Sequence, residues 1–487
     1  MLPILYLLQL KTYKEKIPTV NLTFGLEPRW FARIRWGLRS KQILEDAHTK
    51  FQGGVYRLVR GDTNLIVLPH SLIPELNRLP PYILNSRDYH SFSVLGHITG
   101  LDTVRKTNHH LKVMLGQVGP ALPHLNKTIG ERVAAAITRC FPQQTDTWTA
   151  LRPLDRATKC VTEGIVVAVF GRPVCNNPKL NHECYQLATD AFTIVMILRF
   201  VPSCLHPFLG WLLPAKWRLR RSWNKIDEMV VSEVKHRQQG GSASPKDLDF
   251  LSWMATDDKS VEVTDPHMLV KLAATIAVGG IYSMSNTVVG VIDDLVAHPE
   301  VLEEVRNEIQ EKHNEINGKW DFAAINSLQK LESVIKETTR LAPGSLLVYS
   351  RVMKDDHTLS NGVSLRKGQT IAMPAHVKSM DPEVFPSPET YDGLRHYRNL
   401  DSQHTRPFIS VDGNILTWGA GRSACPGRFI ANTVIRIALV KLLDAYEFKF
   451  VEGRSLQKLV CHEFVLFNPF SKIMVRKREH SLGIEFE

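Results

Sequence analysis

The sequence predicts a mainly α body that carries a small β subdomain. Three observations predict it. The stretches 217–239 and 266–298 place apolar residues three and four apart with charges between them, the period of a helix with one buried face. Short β-like runs stand at 55–59, 64–68, 346–352 and 369–374, close to turn residues. No internal repeat and no shift of composition divides the 487 residues into independent domains.

In chain order, residues 1–10 are apolar and are followed by Lys11, Lys14 and Lys16. A helix that crosses a bilayer needs about 20 apolar residues. This start therefore reads as the remnant of an anchor, an interfacial segment or a misplaced start. Residues 17–36 contain prolines and aromatics without a clean period. Gly61 and Asp62 separate the first two β-like runs as a turn would, and the Gly/Ser-rich run 240–245 reads as a flexible surface connection. Helix 333–341 is stopped by Pro343 and Gly344, and Ser360, Asn361 and Gly362 turn the chain between the last two strands. Residues 385–411 form a meander with no period, a length that in a compact protein marks function or disorder. Gly-rich 418–427 then runs into a helical pattern in which Ile430, Val434 and Ile437 share a face.

With 44% hydrophobic and 22% charged residues, the chain is not collagen-like, coiled-coil or wholly disordered. Subtracting 49 acidic from 60 basic residues leaves +11, which could attract nucleic acid, an anionic membrane or an acidic partner. The basic residues are scattered without a reader motif, which argues against nucleic acid. Seven cysteines with no CxxC pair argue against a disulfide framework and for a reduced, cytosol-facing compartment.

One cysteine stands apart. Cys425 precedes a predicted helix start, where free N–H groups and the helix dipole are expected to lower a thiol's pKa. Gly419, Gly421 and Gly427 around it leave the backbone open to a flat ligand. No second Cys or His lies at metal spacing, so tetrahedral zinc is unsupported. A lone thiolate suits iron held in a porphyrin, and the alternative is a Gly-rich turn ending in an inert buried Cys.

The segment from Trp418 to Arg428 resembles the haem-binding signature of the cytochrome P-450 superfamily, Phe-x-x-Gly-x-Arg-x-Cys-x-Gly, in the form common among filamentous-fungal members. Trp418 stands where Phe is usual and would shield the sulfur. Ser423 stands where many members carry a base, which leaves Arg422 as the substitute contact to a haem propionate. Further motifs of the family follow in the required order. Glu337 and Arg340 match its Glu-x-x-Arg pair, with Arg395 of the meander as third member of a structural triad. Arg351, at a strand end, matches a propionate-pairing position, and Lys112 could pair from the other side although the family's Trp-x-x-x-Arg is absent. His109 and His110 beside it read as a solvated helix start. Counting back from His298-Pro299-Glu300, Gly279, Gly280, Tyr282 and Ser283 occupy the oxygen-activation site. The glycines would let the helix open, Ser283 replaces Thr and keeps a hydroxyl, and Tyr282 replaces the usual acid.

The resemblance implies a cytochrome P-450 fold with haem b between a long distal helix and the Cys425 loop, which supplies the axial ligand to iron. Residues 1–16 would be a residual or truncated anchor and 17–487 a single catalytic domain. The implied activity is insertion of one oxygen atom of O2 into an apolar substrate, a tailoring step in fungal secondary-metabolite (terpenoid, indole-diterpene or meroterpenoid) biosynthesis. Electrons would come from NADPH through a cytochrome P-450 reductase meeting Arg422 and Arg428, at the cytosolic face of the endoplasmic reticulum membrane. Substrate contacts are expected around 91–102 and 193–202. A haem-thiolate isomerase or dehydratase, and a haem-binding pseudoenzyme, stay open because the Tyr282–Ser283 pair departs from the family pattern.

Overall fold

The helical body is built from α1 (Arg29–Phe51), α2 (Ser86–Ser93), α3 (Gly119–Cys140), α4 (Pro153–Phe170), α5 (Pro178–Leu198), α6 (Pro214–Gln238), α7 (Pro266–Ala297), α8 (Pro299–Glu315), α9 (Gln329–Leu341) and α10 (Arg428–Ala445). This computed structural model describes residues 17–24, 27–60, 64–240, 249–256, 264–399 and 406–487. The start 1–16, the turn at Gly61 and Asp62 and the connection beyond Gly240 lie outside the described residues.

α7 is the axis of the body. Asp265 caps it by accepting from the His267 N–H, and Pro266 suits a first turn whose N–H groups have no helical acceptor. Its 32 residues are long and apolar enough to cross a membrane, yet most of that length is buried inside the body. A helix apolar on nearly all sides is, in that setting, a core helix. It is wrapped by α4, α5, α6, α9 and α10, with α3 behind α4 and α10. The helix stays regular through Gly279 and Gly280, so the expected opening there does not occur.

The strands are β1 (Tyr56–Val59), β2 (Asn64–Val67), β3 (Leu84–Asn85), β4 (Thr149–Leu151), β5 (Leu347–Met353), β6 (His357–Thr358), β7 (Ser364–Leu365), β8 (Thr370–Pro374), β9 (Tyr446–Phe450), β10 (Lys458–Cys461), β11 (Phe464–Phe467) and β12 (Ile473–Lys477). The main sheet runs β1-β2-β8-β5-β3, with β2 and β8 parallel and the other pairs antiparallel. A break in register between Val348 and Arg351 puts Tyr349 at φ +54°, a left-handed conformation. Such a bulge re-aims the side chains that follow it. β4-β12-β9 and β10-β11 form smaller sheets. The predicted turn at Ser360 to Gly362 closes the β6–β7 hairpin between β5 and β8. α9 starts at Gln329, earlier than its sequence pattern indicated, and the described part of the meander holds a short helix, Arg395–Arg398.

Candidate active site

The loop before α10 is folded by two 3-10 turns, Leu416–Trp418 and Gly421–Ser423. Gly421 has φ +65°, and a Cβ there would lie 2.1 Å from Asn77 Oδ1, so glycine is required on both counts. The Cys425 N–H donates to the Trp418 carbonyl at 2.8 Å, which closes the loop. The Trp418 indole N–H donates to the Phe408 carbonyl, and the two rings lie 5.0 Å apart. Burial pushes the Cys425 thiol above its ordinary range, against the downward pull of the Gly427 and Arg428 amides and the Arg428 charge. The expectation of a lowered pKa is thus corrected: the helix start does act on the sulfur, but desolvation outweighs it. A thiol in that position becomes thiolate when a metal cation binds it.

Above Cys425 opens a cavity of about 580 Å³. Cys425, Pro426 and Gly427 lie on one side, and Gly279, Gly280 and Ser283 of α7 on the other. It shares Val94, Leu101, Gly279, Ser283, Met284 and Trp418 with a second, mainly apolar cavity of about 430 Å³. The two glycines do different work. A Cβ on Gly279 would meet nothing within 4 Å, whereas one on Gly280 would press on Ile165 of α4 at 2.7 Å. Gly279 therefore leaves room in the cavity, and Gly280 lets α4 approach. The Ser283 hydroxyl donates to the Gly280 carbonyl at 3.1 Å and borders both cavities. Tyr282 points elsewhere. Its hydroxyl donates to Thr189 Oγ1 of α5 at 3.0 Å and its ring stacks on Phe192 at 5.2 Å, so it borders only the second cavity and does not replace an acid at the first.

One end of the first cavity is cationic. Arg351 follows the β5 bulge, lies over the Tyr349 ring at 4.3 Å and donates to the Ser350 carbonyl. Burial lowers its pKa, and it has no ion-pair partner among the described residues. His90 and Arg87 of α2 and His110 also line this end. Burial and the Arg351 charge hold His90 down at about 4. Burial and the Arg87 charge do the same to His110, whose buried Nδ1 has no hydrogen-bond partner. Two sequence expectations fail here. Both His109 and His110 are buried, and His109 Nε2 lies 3.1 Å from the Met254 carbonyl, so the pair is no solvated helix start. Lys112 is exposed and does not line the cavity, because residues 110, 111, 114 and 115 take that face of the turn. Arg422 borders the cavity, but its Nη2 donates to the Asn77 carbonyl at 3.1 Å, which clamps the Cys425 loop to the chain before β3. Asn77 also accepts from the Tyr349 hydroxyl at 2.8 Å, so loop and bulge meet at one residue.

Glu337, fully buried, takes two hydrogen bonds from Arg340 at 2.8 Å each and one from Arg395 Nε at 3.1 Å. Arg395 also donates to the Pro386, Ser387 and Thr390 carbonyls, and Arg340 to those of Ser379 and Pro388. Burial alone would raise Glu337; contacts from Arg340, His396 and Arg395 override it and hold the carboxyl at about 2. The triad thereby fastens the meander to α9.

The substrate-facing wall differs in part from the expected one. Of residues 91–102, Ser91, Val94 and Leu101 line one or both of these two cavities; of 193–202, only Val195 does. The rest of that wall comes from Ala188, Ala191 and Phe192 of α5 and from Phe464–Phe467 of β11.

Comparison with known proteins agrees with this geometry. The family model described as Cytochrome P-450 matches residues 102–475. The cytochrome P-450 monooxygenase olcJ of Penicillium canescens is 30% identical over 474 residues, covering 96% of this chain and 89% of that one. The monooxygenase paxP of Penicillium paxilli is 28% identical (97% and 93% covered), and an ent-kaurene oxidase of Gibberella intermedia 26% (95% and 88%). In the crystal structure of the cytochrome P450DA haem domain the same fold recurs, with TM-score 0.72 at 16% identity, over 95% of this chain and 97% of that one. The chain belongs to the cytochrome P-450 family. It is a monooxygenase of that class, similar to fungal secondary-metabolite members. Family and fold imply haem iron. The residues fit that group: a sulfur lining the cavity, and at its cationic end a desolvated guanidinium and an unpartnered imidazole nitrogen that suit carboxylates. Arg87, His90 and His110 were missed by sequence reasoning. The three- and four-residue spacing of 110, 111 and 114 was the available signal for His110.

Proposed function

We propose that this chain inserts one oxygen atom from O2 into an apolar, terpenoid-type substrate as a tailoring step of fungal secondary metabolism. The observation that carries the reading is Cys425 facing Gly279 and Ser283 across a cavity with a cationic end. When bound, haem iron with a thiolate ligand supplies the reductive activation of dioxygen. Cys425 would hold the iron, Trp418 would keep water from the sulfur, and Arg351, Arg87, His90 and His110 would hold the propionates. Ser283 keeps a proton at Oγ on the cavity side of α7. The second cavity, walled by Phe192, Val195, Tyr282 and Phe464, would bind and orient substrate by burial of apolar surface. Similarity to a relative named ent-kaurene oxidase supports a hydrocarbon-rich substrate.

Electrons would come from NADPH through a cytochrome P-450 reductase, whose acidic surface could meet the exposed Arg422 beside the Cys425 loop. The reading takes 17–487 as one catalytic domain working at the cytosolic face of the endoplasmic reticulum membrane. Exposed Phe208, Trp211 and Leu212 on the helix His206–Leu212, followed by exposed Arg220 and Arg221, support contact with a lipid surface. The test is a carbon monoxide difference spectrum of the reduced protein, repeated on Cys425→Ala. A thiolate-haem band lost in the variant is expected. A colourless protein made with ample haem precursor, or an unchanged band in the variant, would overturn the reading.

A further inference from the structure

The hairpin β10–β11 turns through two residues, His462 and Glu463, since Cys461 pairs with Phe464. Both are buried, and His462 holds a left-handed backbone, φ +54°, which is costly for a residue with a β-carbon. Such a conformation persists where the surrounding structure over-determines it. The His462 N–H donates to the Gly37 carbonyl of α1 at 3.0 Å, and its ring lies 4.4 Å from that of Phe200. Glu463 Oε1 accepts from Arg60 Nη1, just beyond β1, at 2.9 Å and from Arg199 Nη2, just beyond α5, at 2.8 Å. Arg60 also donates to the Tyr89 hydroxyl of α2 at 2.5 Å. All three charged side chains are buried. Burial alone would raise Glu463; the Arg199 and Arg60 charges override it and hold the carboxyl at about 2. Burial and the Arg199 charge hold His462 down at about 4, so at neutral pH Glu463 is charged and His462 is not.

These contacts join the two walls of the second cavity. α5 gives it Ala188, Ala191, Phe192 and Val195, and Arg199 stands one turn beyond the last of these. β11 gives it Phe464 to Phe467, and Glu463 is the residue before the first. Phe464 is held between them: the Arg199 guanidinium lies 5.4 Å from its ring centre, and the Phe192 ring meets it edge to face at 5.8 Å. We propose that Glu463 and Arg199 are positioning residues for substrate, a clamp that fixes the gap between the α5 and β11 walls and so sets how broad a molecule the cavity admits. The inference rests on the reading of that cavity as the substrate site. Both guanidinium bonds end on Oε1, and the buried Oε2 has no hydrogen-bond partner among the described residues. Each arginine is thus held to the carboxylate by a single bond, and one can part while the other stays. When Arg199 parts, Glu463 keeps Arg60 as counter-charge and the hairpin keeps its seat on α1, so the wall that yields is α5. Separating Arg199 from Glu463 in a dry site is costly, which makes the narrow gap the resting one. A slender molecule enters without that step; a broad one must drive it.

The test follows ligand association with the full-length ferric holoprotein by stopped-flow absorbance. Two probes bind haem iron through the same imidazole nitrogen: imidazole itself, and clotrimazole, whose three aromatic rings make it broad. In the parent, clotrimazole should associate more slowly than imidazole. Arg199→Met leaves Glu463 paired with Arg60 but opens the clamp. It should raise the clotrimazole rate about tenfold, equal to about 1.4 kcal/mol off the barrier to entry, with the imidazole rate unchanged. Glu463→Gln opens the clamp from the other side and should act alike, whereas Arg199→Lys, which keeps a cation opposite Glu463, should keep the parent's ratio. Equal rates for the two probes in the parent overturn the proposal, whether or not any variant folds. A parental ratio in Arg199→Met and Glu463→Gln overturns it too, as does an equal rise of both rates, the sign of a generally loosened fold. The thiolate-haem band judges the underlying reading separately: a parent without the band fails that reading, and variants that keep the band and the parental ratio fail the clamp alone.

Discussion

Ser283 gives the α7 wall of the cavity a hydroxyl whose proton now rests on the Gly280 carbonyl, one turn from the open space over Gly279. In Ser283→Ala the shape barely changes, so the reduced carbon monoxide spectrum should match the parent. Product formed per NADPH consumed should fall by about a hundredfold, the lower end of what one positioned proton carrier contributes. An unchanged yield would show that Ser283 does not handle protons. Glu337 works differently, through charge in a dry site. Glu337→Gln leaves Arg340 and Arg395 with no buried counter-charge and should lower stability by about 3–5 kcal/mol, read as a shift in the denaturation midpoint. The carboxyl is held near 2 in the fold against 4.5 for a free side chain. Its contribution is therefore complete above pH about 4.5 and is lost as pH falls towards 2, so parent and variant should converge in stability across that window. Curves that stay parallel down to pH 2 would contradict the triad geometry.

At the scale of elements, what could be read from sequence was what a single segment states about itself. α7, the start of α10 and the Glu337–Arg340 pair are local patterns of period and spacing, and each is where its pattern puts it. The cationic end of the cavity was hidden because no one segment makes it. β3 pairs with β5, which sets α2 and its Arg87 and His90 beside the bulge that carries Arg351. Lys112 was misplaced for a related reason: a one-residue difference on a helix turns a side chain about 100° away. The same holds for the roof. Asn286 of α7 donates to the Val465 carbonyl at 3.1 Å and accepts from the Phe467 N–H at 3.0 Å, pinning β11 over the second cavity. Nothing near 286 or 465 announces this contact. Asn286→Ala strands two buried backbone groups and should cost about 2–3 kcal/mol. Because β11 lines the cavity, the variant should also bind an apolar ligand several-fold more weakly in a spectral titration, with the thiolate-haem band intact. Unchanged ligand affinity would mean that β11 is held by its hairpin alone.

Across the whole molecule, the two joined cavities of about 580 and 430 Å³ lie between α7 and the Cys425 loop, where a protein of this size would otherwise place its densest core. The elements on the two sides are linked around the space rather than through it. Arg422 ties the loop to Asn77, Glu337 ties α9 to the meander, and Asn286 ties α7 to β11. Such a frame keeps the cavity open at the expense of packing, so a group that fills it should stabilise the fold by mass action. A ligand at 1,000 times its dissociation constant contributes about 4 kcal/mol. Protein made without haem precursor should thus melt several degrees below the holoprotein, and added haemin should restore the difference. Cys425→Ala, keeping the cationic end but not the sulfur, should fall between the two. Identical melting with and without the group would mean that the body holds its cavity unaided and that packing around the linked elements, not occupancy, sets the stability of this chain.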